Sequence, residues 1–183
     1  MQERQPAQAG IHPSALKEPP RDVTFRAWKQ DDIPTLARLA HELYRYIETF
    51  DPVWRTSPHA IDHLRAHLLD LYTKRHAVSY IAATGDEIVG FITGSIIQRP
   101  PVILPPRDGL IDNAYVKPPW RGRGIGTRLT LMMLDWFRMQ GVTEVRIHYQ
   151  VSNQRAQAFW ERIGFRGWTM QAHLWLASER EGP

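Results

Sequence analysis

The chain has 183 residues, 43% of them apolar and 23% charged, with no cysteine and a formal net charge of +4. That balance belongs to a globular domain able to bury its own core. It excludes disulfides, thiolate-bound metals and a cysteine nucleophile, and no apolar run is long enough to cross a membrane. The 23 basic and 19 acidic residues are interspersed. Only the stretch 121–128 is locally basic, so nucleic acid is not an expected partner. No apolar core of a secretory signal is present near the N-terminus, which points to the cytoplasm.

Residues 1–22 hold four Pro, three Gln and few large apolar side chains. Such a stretch cannot offset its ordering entropy and predicts a mobile tail. One domain is expected over 23–178, with 179–183 as a second tail. Residues 23–28 read as a first strand. Asp31 or Asp32 then caps a helix that tolerates Pro34 in its first turn. Its apolar stripe is Ile33, Leu36, Ala37, Ala40, Leu43 and Ile47, and Phe50-Asp51-Pro52 breaks it. Ser57-Pro58 starts a second helix, with Ile61, Leu64, Leu68, Leu71 and Tyr72 as its stripe. Strands over 78–83 and 88–97 form a hairpin around Gly85-Asp86. A proline-rich loop over 99–108 follows, then a strand over 109–116.

A helix is predicted from Ile125 to about Gln140, closed by Gly141 in the left-handed conformation. Residues 144–149 form a further strand. Asn153 caps a last helix with Ala156, Phe159, Trp160 and Ile163 as its stripe, and Gly164 ends it. From Phe165 on, Trp168, Met170, Ala172, Leu174 and Leu176 alternate as a half-buried final strand. This order predicts an α/β fold with a mixed sheet. The helix between the strands over 109–116 and 144–149 is a crossover, so those two strands are expected to be parallel neighbours.

The most informative stretch joins the strand over 109–116 to the helix from Ile125. Tyr115 and Val116 suit a strand, and Pro118 and Pro119 stop it. Gly122, Gly124 and Gly126 then remove Cβ atoms at every second position, so that a ligand can come close to the backbone. A glycine-rich loop that opens a helix presents unpaired N–H groups and the positive end of the helix dipole, an anion site suited to phosphate. Two better-known phosphate loops are excluded. No Lys follows Gly126, as a P-loop requires, and Thr127 stands where the dinucleotide fingerprint needs a third glycine.

What fits is Arg121-x-x-Gly124-x-Gly126 with Val116-x-Pro118 ahead of it, which resembles the acetyl-coenzyme A loop of the GNAT superfamily of N-acetyltransferases. Further on, Asn153-x-x-Ala156-x-x-Phe159-Trp160, followed by Gly164-Phe165, resembles the second motif of that superfamily. The resemblance implies a mostly antiparallel central sheet with one splayed parallel pair and helices on both faces. It implies acetyl-coenzyme A as co-substrate, no metal, and direct transfer to an amine on a small molecule or peptide. Homodimers are frequent in the superfamily, and the aromatic-rich final strand offers an edge for one.

By the same resemblance, Ala114, Tyr115 and Val116 line the pantetheine arm. The N–H groups of Arg121, Gly122, Arg123, Gly124, Ile125, Gly126 and Thr127 take the diphosphate, with added charge from Arg121 and Arg123. Asn153 bonds to the pantetheine or to an adjacent carbonyl, and Phe159 and Trp160 lie beside the arm. Trp160 equally fits plain core packing. Tyr46, Phe50, Asp51 and Trp54 are candidates for the acceptor wall, although Phe50 and Trp54 would also serve to pin their loop to the core.

Trp160 occupies a position where the superfamily often has a tyrosine that protonates the leaving thiolate. Tryptophan does not release its N–H proton at neutral pH. Tyr149 or water is then the acid, or none is needed, because a thiolate of pKa ~8.5 leaves readily. A primary amine of pKa ~10.4 needs a base. Asp112 is the first candidate and His148 the second. The rival reading is a silent acyl-coenzyme A sensor, favoured by Trp160.

Overall fold

A computed structural model of the chain describes residues 17–50 and 54–174. The elements in chain order are β1 (Thr24–Ala27), α1 (Ile33–Glu48), α2 (Ala60–Thr73), β2 (Ala77–Thr84), β3 (Glu87–Gln98), β4 (Arg107–Val116), α3 (Ile125–Met139), β5 (Val145–Ile147) and α4 (Gln154–Ile163). Among the described residues the strands form one sheet in the order β1-β2-β3-β4-β5. The first four pair antiparallel, while β4 and β5 are parallel. The fold is therefore α/β, with a mixed, mostly antiparallel sheet.

Two apolar layers flank this sheet. On one face, Leu36, Ala37 and Ala40 of α1 and Leu68 and Leu71 of α2 pack against Ile81, Phe91 and Tyr115. On the other, Leu129, Met133 and Phe137 of α3 pack against Val89, Ile92 and Ile111. Burial on both faces explains why β3 reads as a nearly continuous apolar run rather than an alternating one. Helix α3 lies close on the sheet at Gly109, where a Cβ would stand 2.7 Å from the Phe137 ring.

An ion-pair cluster pins the loop between β3 and β4. Arg99 Nε donates to Asp108 Oδ2 at 2.8 Å, and its other nitrogens donate to Glu144 at 3.0 and 2.5 Å. Arg146 also reaches the fully buried Asp108. That loop lies at the end of the sheet away from the glycine loop.

Several local expectations need correction. Asp32 stands at the N-cap of α1, but its side chain makes no cap hydrogen bond to the helix. Its carboxylate turns back to accept from the Lys29 N–H at 2.6 Å and from Arg26 at 2.7 and 2.9 Å. In α2, Ile61 and Tyr72 are exposed, and Tyr72 meets the Trp28 ring edge-on. Strand β5 is only three residues long because its pairing with β4 stops at Ile147. Residues 165–174 form no strand, and Trp168, Met170 and Leu174 are exposed. The alternation there is real, but nothing among the described residues pairs with it. Leu176, Asp51 and most of the N-terminal tail lie outside the described residues.

Candidate active site

The site begins in the register of β3 against β4. Thr93 lies opposite Asn113 and Gly94 opposite Ile111, which leaves Asp112 without a partner as the extra residue of a β-bulge. A bulge re-aims the side chains that follow it. Ile111 and Ala114 accordingly both join the α3-side layer, although residues three apart on an unbroken strand face opposite ways. Asp112 turns to the side carrying α1 and α2. Ser95 Oγ donates to its Oδ2 at 3.0 Å, and Tyr44 of α1 and His67 of α2 lie within electrostatic reach.

Asp112 keeps an accessible surface, yet the protein packed around it lifts its carboxyl above the usual carboxylate range. Burial is the largest cause, opposed by the Ser95 hydrogen bond and by the positive charge of His67 and His148.

Beyond the bulge, β4 and β5 separate. Their pairing covers only Gly109 to Ile111 against Val145 to Ile147. The Lys117 N–H donates to Val89 O at 2.9 Å. Strand alternation then turns the amides of Ala114 and Val116 away from β3, toward the side β5 has left. The Val116 carbonyl is taken by Arg121 Nε at 2.8 Å. Tyr115 faces the other way and donates its hydroxyl to Glu42 of α1 at 3.0 Å. Burial, and then that bond, push the Tyr115 hydroxyl pKa up.

The glycine loop follows a short turn over Pro118–Trp120. Gly122 and Gly124 hold left-handed φ values of 72° and 81°, which favour glycine. The N–H groups of residues 122 to 127 donate to no backbone carbonyl among the described residues. They cluster at the N-terminus of α3, where the helix dipole is positive. The N-terminal arm crosses this loop. A Cβ on Gly124 would stand 2.1 Å from the carbonyl oxygen of Lys17.

The second motif borders the same opening. Asn153 is buried and its Oδ1 accepts from the Ala156 N–H at 3.0 Å, capping α4 as the sequence predicts. The Phe159 ring lies 3.5 Å from where a Gly126 Cβ would be. Trp160 is buried, edge-on to Phe159 at 4.8 Å and Phe165 at 5.3 Å. Tyr149 is partly buried against the α3-side layer, while His148 is exposed on the Asp112 side.

Tyr44 and Tyr46 of α1 and Phe50 and Trp54 beyond it form an aromatic wall. Tyr44 and Trp54 stack in parallel at 5.8 Å, and Phe50 meets Tyr46 edge-on at 4.9 Å. The Glu48 carboxylate accepts from the Thr56 N–H and from Arg45, which holds Thr56 against the end of α1. Ser152 Oγ donates to Phe50 O at 3.0 Å and ties the wall to the residue preceding Asn153. The Arg121 guanidinium lies over Tyr46 at 4.9 Å and Tyr115 at 5.4 Å. Arg123 is exposed and rests over Trp120 at 5.2 Å.

Sequence reasoning missed Ser95, Tyr44, His67 and Ser152. No local pattern marks them; only the strand register and the helix packing bring them to Asp112 and Phe50. Among the described residues no group of three or more His, Asp and Glu gathers to hold a metal.

Comparison with known proteins bears on the family and the fold. N-alpha-acetyltransferase 30 of Schizosaccharomyces pombe is 31% identical over 88 residues, which is 48% of this chain and 56% of that protein. The match thus spans little more than half the length of the relative. A predicted acetyltransferase from Clostridium acetobutylicum, solved with acetyl-CoA, superposes with a TM-score of 0.71 at 17% identity, covering 83% of this chain and 95% of that one. A GCN5-related N-acetyltransferase from Ralstonia eutropha JMP134 gives 0.70 at 22% identity, covering 83% and 97%. These two likenesses concern the fold. The family model described as acetyltransferase (GNAT) matches residues 37–165, from α1 through both motifs, and the chain belongs to that family.

Proposed function

We propose that the chain transfers an acetyl group from acetyl-coenzyme A directly to an amine on a small molecule or peptide. The observation that carries this reading is the run of N–H groups over residues 122–127 at the start of α3, which have no backbone partner among the described residues. Such a cradle suits a diphosphate, since donors and helix dipole point the same way. Exposed Arg123 and Arg128 add positive charge beside it. The amides of Ala114 and Val116 face the side where β4 and β5 part, and are placed to orient an extended arm carrying amide groups of its own. A free N–H there also stabilises negative charge as it develops on a carbonyl oxygen. The co-substrate supplies an acyl group already attached to a tolerable leaving group.

Asp112 accepts the proton that the acceptor ammonium must lose. Its raised pKa makes it a stronger base than an ordinary carboxylate. His148 is a second base or a relay to solvent. With Trp160 in the core, Tyr149 or water remains as the acid, or the thiolate leaves without one. The catalytic domain on this reading spans 23–178 and works in the cytoplasm.

Calorimetric titration with coenzyme A, together with thiol release from acetyl-coenzyme A over a panel of amines, tests the reading. Binding with release for at least one amine is expected. Absence of binding overturns it, and binding without release for any amine favours the sensor.

A further inference from the structure

Arg121 stands in the sequence where a phosphate ligand is expected, but its side chain turns inward. Its Nε donates to Val116 O at 2.8 Å. Its guanidinium lies over two rings, Tyr46 of α1 at 4.9 Å and Tyr115 of β4 at 5.4 Å. A planar guanidinium held by a directional hydrogen bond and two aromatic faces is fixed in position, which a lysine ammonium would not be. Arg123, two residues on, is exposed on the same loop.

From Tyr46 the contacts continue. Phe50 meets Tyr46 edge-on at 4.9 Å, and Phe50 O accepts from Ser152 Oγ at 3.0 Å. Ser152 precedes the Asn153 cap of α4, whose Phe159 reaches the Cβ direction of Gly126 at 3.5 Å. The contacts form a circuit that starts and ends at the glycine loop and passes through the aromatic wall.

We infer that Arg121 is a positioning residue which ties the glycine loop to the wall of Tyr46 and Phe50, and is not a ligand of phosphate. The inference rests on the acetyltransferase reading only in naming what the loop and the wall hold. Its physical content is that ordering the loop orders the wall, through a side chain that touches neither ligand. Charge on the loop comes from Arg123 instead.

The test combines hydrogen exchange with coenzyme A titration on the full chain and on Arg121→Gln, Tyr46→Leu, their double variant and Tyr46→Phe. Without ligand, both single changes are expected to speed amide exchange over residues 46–50, and Tyr46→Phe is expected to behave as the wild type. Coenzyme A should slow exchange over both 122–127 and 46–50 in the wild type. In the two single variants the first protection should persist and the second should be lost. Both variants should weaken coenzyme A by the same small factor, with no further loss in the double variant.

A loss of about tenfold or more for Arg121→Gln, with Tyr46→Leu at wild-type affinity, would instead mark a direct charged contact and overturn the inference. Unchanged ligand-free exchange over 46–50 in both single variants overturns it too. A wild-type chain that binds no coenzyme A sinks the acetyltransferase reading alone, because the ligand-free exchange still decides the link.

Discussion

Ser95 Oγ donates a hydrogen bond of 3.0 Å to Oδ2 of Asp112, joining β3 to the unpaired residue of β4. The bond favours the ionised carboxylate and partly offsets the rise that burial causes. Replacing Ser95 by Ala should therefore raise the Asp112 pKa further. If Asp112 is the base, the acid limb of the pH–rate profile moves to higher pH in Ser95→Ala. Asp112→Asn should lose roughly 10²- to 10⁴-fold in rate. An acid limb that stays in place in Ser95→Ala removes Asp112 from that role.

The same carboxylate carries a stability prediction of opposite sense to its activity. Its folded pKa lies above its unfolded value, so the fold favours the protonated form. That contribution is full below the unfolded pKa of about 3.9 and is lost as pH rises through the folded one. At pH 7 the Asn variant should melt at or above the wild-type temperature. A clearly lower melting temperature would mean that the ionised form makes a stabilising contact the structure does not show.

Asp32 has the reverse sign. The Arg26 hydrogen bonds, first among the causes, hold its carboxyl below the usual range. Its contribution is present above the unfolded pKa of about 3.9 and is lost as pH falls through the lowered value. Arg26 is partly exposed, so screening reduces what the pair contributes. Asp32→Ala should cost about 1–2 kcal/mol at neutral pH by urea unfolding, given the lost charged hydrogen bonds and that discount. The difference from wild type should shrink in acid below pH ~4. A difference that does not depend on pH would assign the effect to packing.

Trp160 is placed by its neighbours Phe159 and Phe165. Trp160→Ala should cost about 3–5 kcal/mol, as buried aromatic truncations do. Trp160→Phe should leave thiol release at wild-type rate, and Trp160→Tyr should not accelerate it, since the side chain is buried against Phe159 and Phe165. A Phe variant that stays folded but slows turnover would put the indole in the chemistry.

The two motifs were legible because each is local. A glycine loop needs only its own backbone to bend, and Asn153 caps a helix that starts one residue later. The bulge at Asp112 was not, because it is a property of register, set where Thr93 and Gly94 meet Asn113 and Ile111. The inward turn of Arg121 was hidden for a related reason. Its partner Tyr46 comes from α1, and sequence spacing carries no sign of that meeting. The stretch after Phe165 was misread because alternation shows that a segment has two faces without showing what covers either one.

At Gly124 a left-handed φ of 81° coincides with the close approach of Lys17. Gly124→Ala should cost roughly 1–2 kcal/mol from the backbone alone, with more from the displaced arm. Deleting residues 1–19 should relieve the second part and leave the first, which urea unfolding of the four combinations would resolve. Equal costs with and without the arm would mean that Lys17 gives way freely.

Because Lys17 turns a carbonyl oxygen toward Gly124, the loop has a front and a back. An anion approaching past the arm first meets the negative end of a peptide dipole. Over Gly122, nothing among the described residues would lie within 4 Å of a Cβ, so that side is open. For the anion proposed above, the side of entry is thereby biased by one backbone carbonyl, before any side chain has taken part.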